Sequence, residues 1–248
     1  LTDLPLSDRL QAVLDSQTTP LGCFNMARVL VIGDTHCPGM HPRYPSFLQR
    51  IHERHKCTKV IHIGDLVDNA AISYHEKNPS LSSAQDEYFK AKMQVAKLYA
   101  LFPKVEWIIG NHDALTERQC LTAGVLPTML REQGDIWSLP ETWKVHPRFT
   151  RYHYDGTVYA HGDSGKGGMY AAVKNSRDNF CNWVSGHCHS EAGVWYTTVE
   201  GGCVFGMNTG CGVDVDNLAF NYGRKFNKKP TLGCGVVIDG KRAIFEPM

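Results

Sequence analysis

A chain of 248 residues with 42% apolar and 21% charged residues is long enough for one domain with a sizeable core. Its formal net charge of +1 gives no global field that favours a polyanion. No apolar run approaches the length of a membrane span, and the N-terminal stretch lacks a basic region followed by an apolar core, so neither a membrane anchor nor a secretory signal is expected.

Residues 1–26 differ in character from the remainder of the chain. "LSDRLQAVLDS" predicts a short amphipathic helix with Ser7 as N-cap and Leu10, Val13 and Leu14 on one side, broken by "QTTPLG". A start at Met26 would leave a complete core. Residues 1–26 are therefore expected to be an accessory arm or upstream read-through, and residues 27–248 a single domain.

From residue 28 a pattern repeats: an apolar run of strand type ends in Gly plus a polar residue. "RVLVIGD" ends at Asp34, "KVIHIGD" at Asp65, "VEWIIGN" at Asn111, "TVYAHGD" near His161 and "CNWVSGH" at His187. Between the first two, "PSFLQRIHERHK" places Phe47, Leu48, Ile51 and His55 on one helical face. Between the second and third, "SAQDEYFKAKMQVAKLYALF" places Phe89, Met93, Ala96 and Ala100 at helical spacing. Strand–helix–strand units of this kind predict a layered α/β fold. The late segments "GCVFGMNTG", "GCGVVIDG" and "RAIFEP" read as strands of a second, antiparallel-leaning sheet packed on the first.

The nine cysteines are odd in number and form no C-x-x-C pair. They argue against a thiolate zinc site or a disulfide framework and read as reduced, mostly buried residues of a cytoplasmic protein.

In open α/β sheets, ligands sit beyond the carboxyl ends of the strands. Here each successive strand end delivers a metal-competent residue: Asp34 and His36, then Asp65, Asn111, His161, and finally His187 and His189. Residues i and i+2 of an extended segment face the same way. Asp34 and His36 are thus expected to reach one ion together, and His187 and His189 to share an ion or take one each. The preceding glycines are expected to let the backbone turn and approach the ions closely. Taken alone, "GHCH" fits a zinc clasp, a redox thiol or a dinuclear metal site.

The blocks D-x-H, G-D-x-x-D, G-N-H-D, an isolated His and G-H-x-H occur in this order over residues 34–189. In this the sequence resembles the calcineurin-like metallophosphoesterase superfamily. The resemblance implies a four-layer β-sandwich flanked by helices and a two-metal phosphoester hydrolase, in which a metal-activated hydroxide attacks phosphorus. By motif position, it implies one ion held by Asp34, His36 and His189, a second held by Asn111, His161 and His187, and Asp65 bridging them. It further implies His112 as general acid for the leaving oxygen or as a cationic stabiliser, with Asp68 as its acidic partner. Mixed Asp, Asn and His ligation suits Mn, Fe, Zn or Ni rather than calcium; Mn is the first expectation, and Mg stays open. Cys188 is then expected to point away from the ions and be buried, and Asp113 to close its turn.

The sequence also departs from branches of that superfamily. "GDLVDNA" lacks the Arg that protein Ser/Thr phosphatases carry soon after the second Asp, which argues against that branch. The length fits compact bacterial or phage-encoded enzymes. The loop "HGDSGKGGMY" has four glycines and Lys166 but not Walker A spacing; Lys166 and Arg177 are candidate substrate contacts. The clusters "KNSRD" (Lys174, Arg177) and "GRKFNKKP" (Arg224, Lys225, Lys228, Lys229) favour a nucleotide or nucleic acid if they flank the cleft. The expected activity is hydrolysis of phosphomono- or diesters of a small molecule, a nucleotide or nucleic acid. A DNA or RNA nuclease is the narrower alternative. A non-catalytic scaffold of the same fold, as in one retromer subunit that has lost key histidines, is disfavoured because no motif histidine is missing here.

Overall fold

Strand β1 (Arg28–Ile32) is buried on both faces: Val29 and Val31 join one apolar cluster, Leu30 and Ile32 another. A strand with two buried faces must lie inside a layered structure, and the chain builds four layers around it. The computed structural model describes residues 27–75, 79–164, 168, 170–216 and 227–248. The helix expected within residues 1–26, and Lys166, Arg224 and Lys225, fall outside them.

The first sheet has the order β11-β10-β1-β2-β3-β4. Here β2 is Lys59–His62, β3 Glu106–Ile108, β4 Lys144–His146, β10 Gly233–Ile238 and β11 Arg242–Pro247. Strands β1 to β4 run parallel, while β10 and β11 add an antiparallel flank. The second sheet has the order β5-β6-β7-β9-β8, with β5 at Tyr152–Tyr154, β6 at Thr157–Ala160, β7 at Asn182–Ser185, β8 at Ala192–Val199 and β9 at Gly202–Thr209. Its three central strands, β6, β7 and β9, are parallel, and only its edges pair antiparallel. The two sheets face each other through Val29, Val31, Ile61 and Val237 on one side and Tyr159, Val184, Phe205 and Met207 on the other.

Helices cover the outer faces. Leu30, Val60, Trp107 and Val236 pack against α1 (Tyr44–His55) and α2 (Ala84–Leu101). Val158, Ala160 and Trp183 pack against Ala172 of α5 (Ala171–Asn179). The short helices α3 (Leu115–Thr122) and α4 (Gln133–Trp137) lie between β3 and β4. α1 buries Phe47, Leu48 and Ile51, as their spacing predicts, while His55 is only half-buried. α2 starts at Ser83, whose hydroxyl accepts the Asp86 N–H at 3.1 Å, a side-chain N-cap. Among the described residues, no helix is long and apolar enough to cross a membrane.

Two expectations are corrected. α2 does not bury Phe89 and Met93, which are 54% and 70% exposed; its inner line is Glu87, Ala91, Val95 and Leu98. The small Ala91 lets the helix lie close to its neighbours, and reading the face from the largest side chains selects the wrong side. Strands β10 and β11 belong to the first sheet, and the second sheet is mixed. Periodicity identifies a strand but carries no information on which sheet edge receives it.

Candidate metal centre

The parallel strands of both sheets end at the same pole, and the polar residues that come after them meet there. Backbone bonds lock the loops together. Thr35 and His36 donate their N–H groups to the Asp65 carbonyl at 3.0 and 2.9 Å, and Gly186 donates to the His161 carbonyl at 2.9 Å. Glycines permit this closeness. A Cβ at Gly64, where φ is +114°, would stand 2.4 Å from His161 Nδ1, and one at Gly110 would stand 2.3 Å from Asp65 Oδ1. The glycines therefore make room for neighbouring side chains. Most of the turning is done by the polar residues themselves: His36, Asp65 and His187 adopt φ of +46°, +50° and +63°. Left-handed non-glycine residues are strained by about 1–3 kcal/mol each and concentrate at functional sites.

Three groups result among the described residues, each with ligand-capable atoms within 4.8 Å of one another: Asp34, His36 and His189; Asp65, His161 and His187; and His36, Asp68 and His112, which shares His36 with the first. Asn111 joins the second, its Oδ1 lying 2.9 Å from His161 Nε2. Asp65 Oδ2 lies 3.6 Å from His36 Nε2 and 3.3 Å from His161 Nε2, so it faces the first two groups. His187 and His189, two residues apart, thus go to different groups. Asp34, His36, Asp65 and His161 are buried, whereas His187 is exposed, so the centre opens on the "GHCH" side.

The hydrogen-bond chemistry tests whether these residues fit a cation. His161 Nδ1 faces the Ile63 carbonyl at 2.9 Å and donates to it. In the neutral ring this leaves Nε2 as a lone pair, pointed at two further acceptors, Asn111 Oδ1 and Asp65 Oδ2. His36 Nδ1 is likewise engaged by Asp68 Oδ1 at 2.8 Å, and its Nε2 lies 3.1 Å from His189 Nε2. Asp34 Oδ1 is buried and accepts no hydrogen bond among the described residues. Converging acceptors in a buried space are costly unless a proton or a metal cation stands among them. The residues fit a metal pair, and each inner histidine has an outer oxygen that fixes its tautomer, as metal-ligating histidines do.

Without metal, the same crowding appears as displaced proton affinities. Burial lifts the Asp34 carboxyl above the usual range. Burial acts the same way on Asp65, but the charges of His161 and His112 outweigh it and hold Asp65 well below that range. Burial would lower His161, yet Asp65, by charge and hydrogen bond, pushes it up to about 10. Burial and the neighbouring His36 drive His189 well down. Groups pushed this far apart in one cleft mark a site built for charge.

His112 stands beside the first two groups. Its Nδ1 lies 2.8 Å from the Asp68 carbonyl and 3.1 Å from Asp68 Oδ1, and its backbone N–H donates to Asp65 Oδ1 at 2.8 Å. Burial would lower its affinity for a proton, but Asp65 and Asp68 override that and push it up to about 10. Asp68 serves His36 and His112 together. Burial would raise its carboxyl, but the hydrogen bonds from the two rings hold it low.

Three supporting residues lie outside the motif letters assigned to metal or acid. Asn69 donates from Nδ2 to the His112 carbonyl at 2.9 Å, and Glu87 accepts the Ala70 and Ala71 N–H groups at 2.6 and 2.7 Å. Asn69 directly follows Asp68 and was legible as part of that turn; Glu87 was hidden because the large apolar side chains of α2 point to its other face. Asp113 takes the Gly110 N–H at 2.8 Å and the Val67 N–H at 3.0 Å, closing its own turn and tying it to the Asp65–Asp68 loop. Asp113→Ala leaves two buried donors unsatisfied, at about 1–3 kcal/mol each. Urea denaturation is expected to show that loss, and a midpoint equal to that of the unaltered protein would refute the role.

Of the two candidate substrate contacts, one falls among the described residues. Lys166 lies outside the described residues. Arg177 is on α5 and bonds Thr197 of β8 at 3.1 Å. Cys188 is half-buried rather than buried, and among the eight described cysteines four are buried, three half-buried and Cys203 exposed; none is in a disulfide.

Comparison with known proteins agrees with this layout. Residues 27–187, more than half of the chain, match the description "Calcineurin-like phosphoesterase". Similar solved structures include YfcE, a phosphoesterase from E. coli, at 12% identity over 84% of this chain and 87% of that one, with a TM-score of 0.42. Vacuolar Protein Sorting 29 from Cryptosporidium parvum is similar at 15% identity over 90% and 98%, with a TM-score of 0.43. Pseudomonas putida nuclease MPE is similar at 12% identity over 89% and 87%, with a TM-score of 0.38. The curated proteins give no match. With five motif blocks at the ends of parallel strands and the match spanning all but the last of their histidines, the chain belongs to the calcineurin-like phosphoesterase family.

Proposed function

We propose that this chain is a two-metal phosphoester hydrolase acting on phosphomono- or diesters of nucleotides or nucleic acid. Asp34, His36 and His189 would hold one divalent ion, and Asn111, His161 and His187 the other, with Asp65 shared between them and Mn as the first metal to test. The observation that carries this reading is Asp65 Oδ2, placed 3.6 Å from one group's His36 Nε2 and 3.3 Å from the other's His161 Nε2. Such an ion pair supplies Lewis acidity toward phosphoryl oxygens and toward water.

The chain's own residues supply the rest. Ile63 and Asp68 fix the tautomers of His161 and His36, so that both present Nε2 to the cleft. Asp68 also takes His112 Nδ1, which leaves His112 Nε2 to carry a proton toward the leaving oxygen. In the metal-free site, Asp65 and Asp68 raise the ring's affinity for a proton. The buried floor of Asp34, His36, Asp65 and His161 keeps bulk water from screening these charges.

Loading with excess Mn followed by elemental analysis is expected to give two ions per chain. Metal-dependent hydrolysis is expected in a panel of p-nitrophenyl phosphate, bis-p-nitrophenyl phosphate, 2′,3′-cyclic nucleotides and single-stranded DNA. One ion or none, or no hydrolysis of any ester by the loaded protein, sinks the reading.

A further inference from the structure

The hydrolytic centre uses neither the basic "KNSRD" cluster nor the exposed rings beside it. Tyr170 caps α5, and Tyr170, Lys174 and Arg177 stand at i, i+4 and i+7, on one face of the helix. The residues between them, Ala171, Ala172, Val173, Asn175 and Ser176, are buried. That face lies along the edge strand β8. The Tyr170 and Trp195 rings meet edge to face with centroids 6.3 Å apart, and Arg177 Nε donates to Thr197 Oγ1 at 3.1 Å. Trp195 and Thr197 are two residues apart on a strand and so share one face of it. Helix and strand therefore form one surface strip, with aromatic rings at one end and the cations Lys174 and Arg177 along it.

Its exposure is selective. The tryptophans Trp107, Trp137, Trp143 and Trp183 are at most 5% exposed. Trp195 is only half-buried, and Tyr170 is 48% exposed. The ring end adjoins the metal-capable groups. β8 starts three residues after His189, Lys228 forms an ion pair with Glu191, and Thr231 donates its N–H to the His189 carbonyl at 2.7 Å.

We infer that this surface strip binds a single-stranded polynucleotide and leads it toward the centre. Trp195 and Tyr170 stack unpaired bases, while Lys174 and Arg177 follow the phosphates. Rings interleaved with cations beside a cleft are how single strands are held without reading their sequence, and a paired duplex offers no free base face to such rings. The direction of travel rests on the proposed hydrolase function; the binding does not.

The test uses the metal-loaded chain carrying His112→Ala, so that the probe is not consumed, with a fluorescent 15-mer of thymidine, its RNA counterpart and a duplex of equal length. Expected are binding of both single strands in preference to the duplex, and quenching of tryptophan emission that Trp195→Phe abolishes. The log-log salt slope is expected to be about −1.4, at about −0.7 for each of two phosphates neutralised. Trp195→Ala weakens binding about tenfold or more, from the loss of one stacked base, and Trp195→Tyr restores most of it. Lys174→Gln with Arg177→Gln shallows the slope by about 1.4. Absence of single-strand binding, or binding that ignores both the Trp195→Ala and the double substitution, overturns the inference. Hydrolysis of bis-p-nitrophenyl phosphate by the chain with His112 intact then says separately whether the hydrolase function stands.

Discussion

Asp65→Asn is expected to leave a folded protein that no longer holds two ions and has lost nearly all turnover. Residue 65 has φ of +50°, a left-handed conformation that Asn adopts about as readily as Asp, so the backbone tolerates the change. The amide oxygen can still accept the His112 N–H that Asp65 Oδ1 takes at 2.8 Å. What disappears is the negative charge that faces His36 on one side and His161 on the other. In the proposed two-metal centre that charge would offset repulsion between the divalent cations, and among the described residues no other carboxylate faces Nε2 of both rings. A charge-stabilising contribution of several kcal/mol corresponds to a loss of at least about a thousandfold in rate. Binding reports the same loss without reference to turnover. Excess Mn raises the melting temperature of a protein that binds it only when folded, and this rise is expected to shrink sharply in the variant. A variant that keeps two ions by elemental analysis and turns over near normally would remove Asp65 from the shared position.

The centre was more legible in the sequence than the fold around it, for a physical reason. Ligands at strand ends leave short fixed words, such as "GDTH" and "GHCH", because a cation demands particular atoms from particular loops. Asp34, His36, Asp65, Asn111, His161, His187 and His189 all converge in the structure. Helix faces and sheet edges leave looser marks. Phe89 and Met93 are apolar yet exposed, while the inner face of α2 carries the charged Glu87, buried because it satisfies two backbone donors. Strands β10 and β11 could have extended either sheet, and their place beside β1 is settled by long-range register, Arg28 opposite Ile238, which no local pattern encodes. The glycines show a third kind of limit. Their presence in every block was plain, but their role of making room for His161 and Asp65 could be seen only once the loops were packed together.

His112→Ala is expected to separate chemistry from metal binding. His112 lies outside the two groups that Asp65 faces, although its ring forms a third ligand-capable group with His36 and Asp68. Alanine keeps the backbone N–H that Asp65 accepts, and Asp68 keeps its 2.8 Å contact with His36 Nδ1, so the orientation of that ligand survives. Two ions per chain and a near-normal melting temperature are therefore expected. Turnover is expected to fall by about 10²–10⁴, the range for removal of a positioned general acid. The size of the fall also distinguishes two roles for the ring. A general acid matters most when the leaving oxygen is basic and least when it departs readily as p-nitrophenolate. A protonated imidazole that only steadies charge on the phosphoryl oxygens matters about equally for both. Comparing p-nitrophenyl esters with a nucleotide ester of an ordinary alcohol decides between them. The engagement of His112 Nδ1 by Asp68, which leaves Nε2 to carry a proton, favours the first, and the loss is then expected to be smaller for the p-nitrophenyl ester by at least about tenfold. Equal losses for the two esters assign His112 to charge stabilisation alone, and loss of the ions themselves shows that the ring belongs to the ligand set.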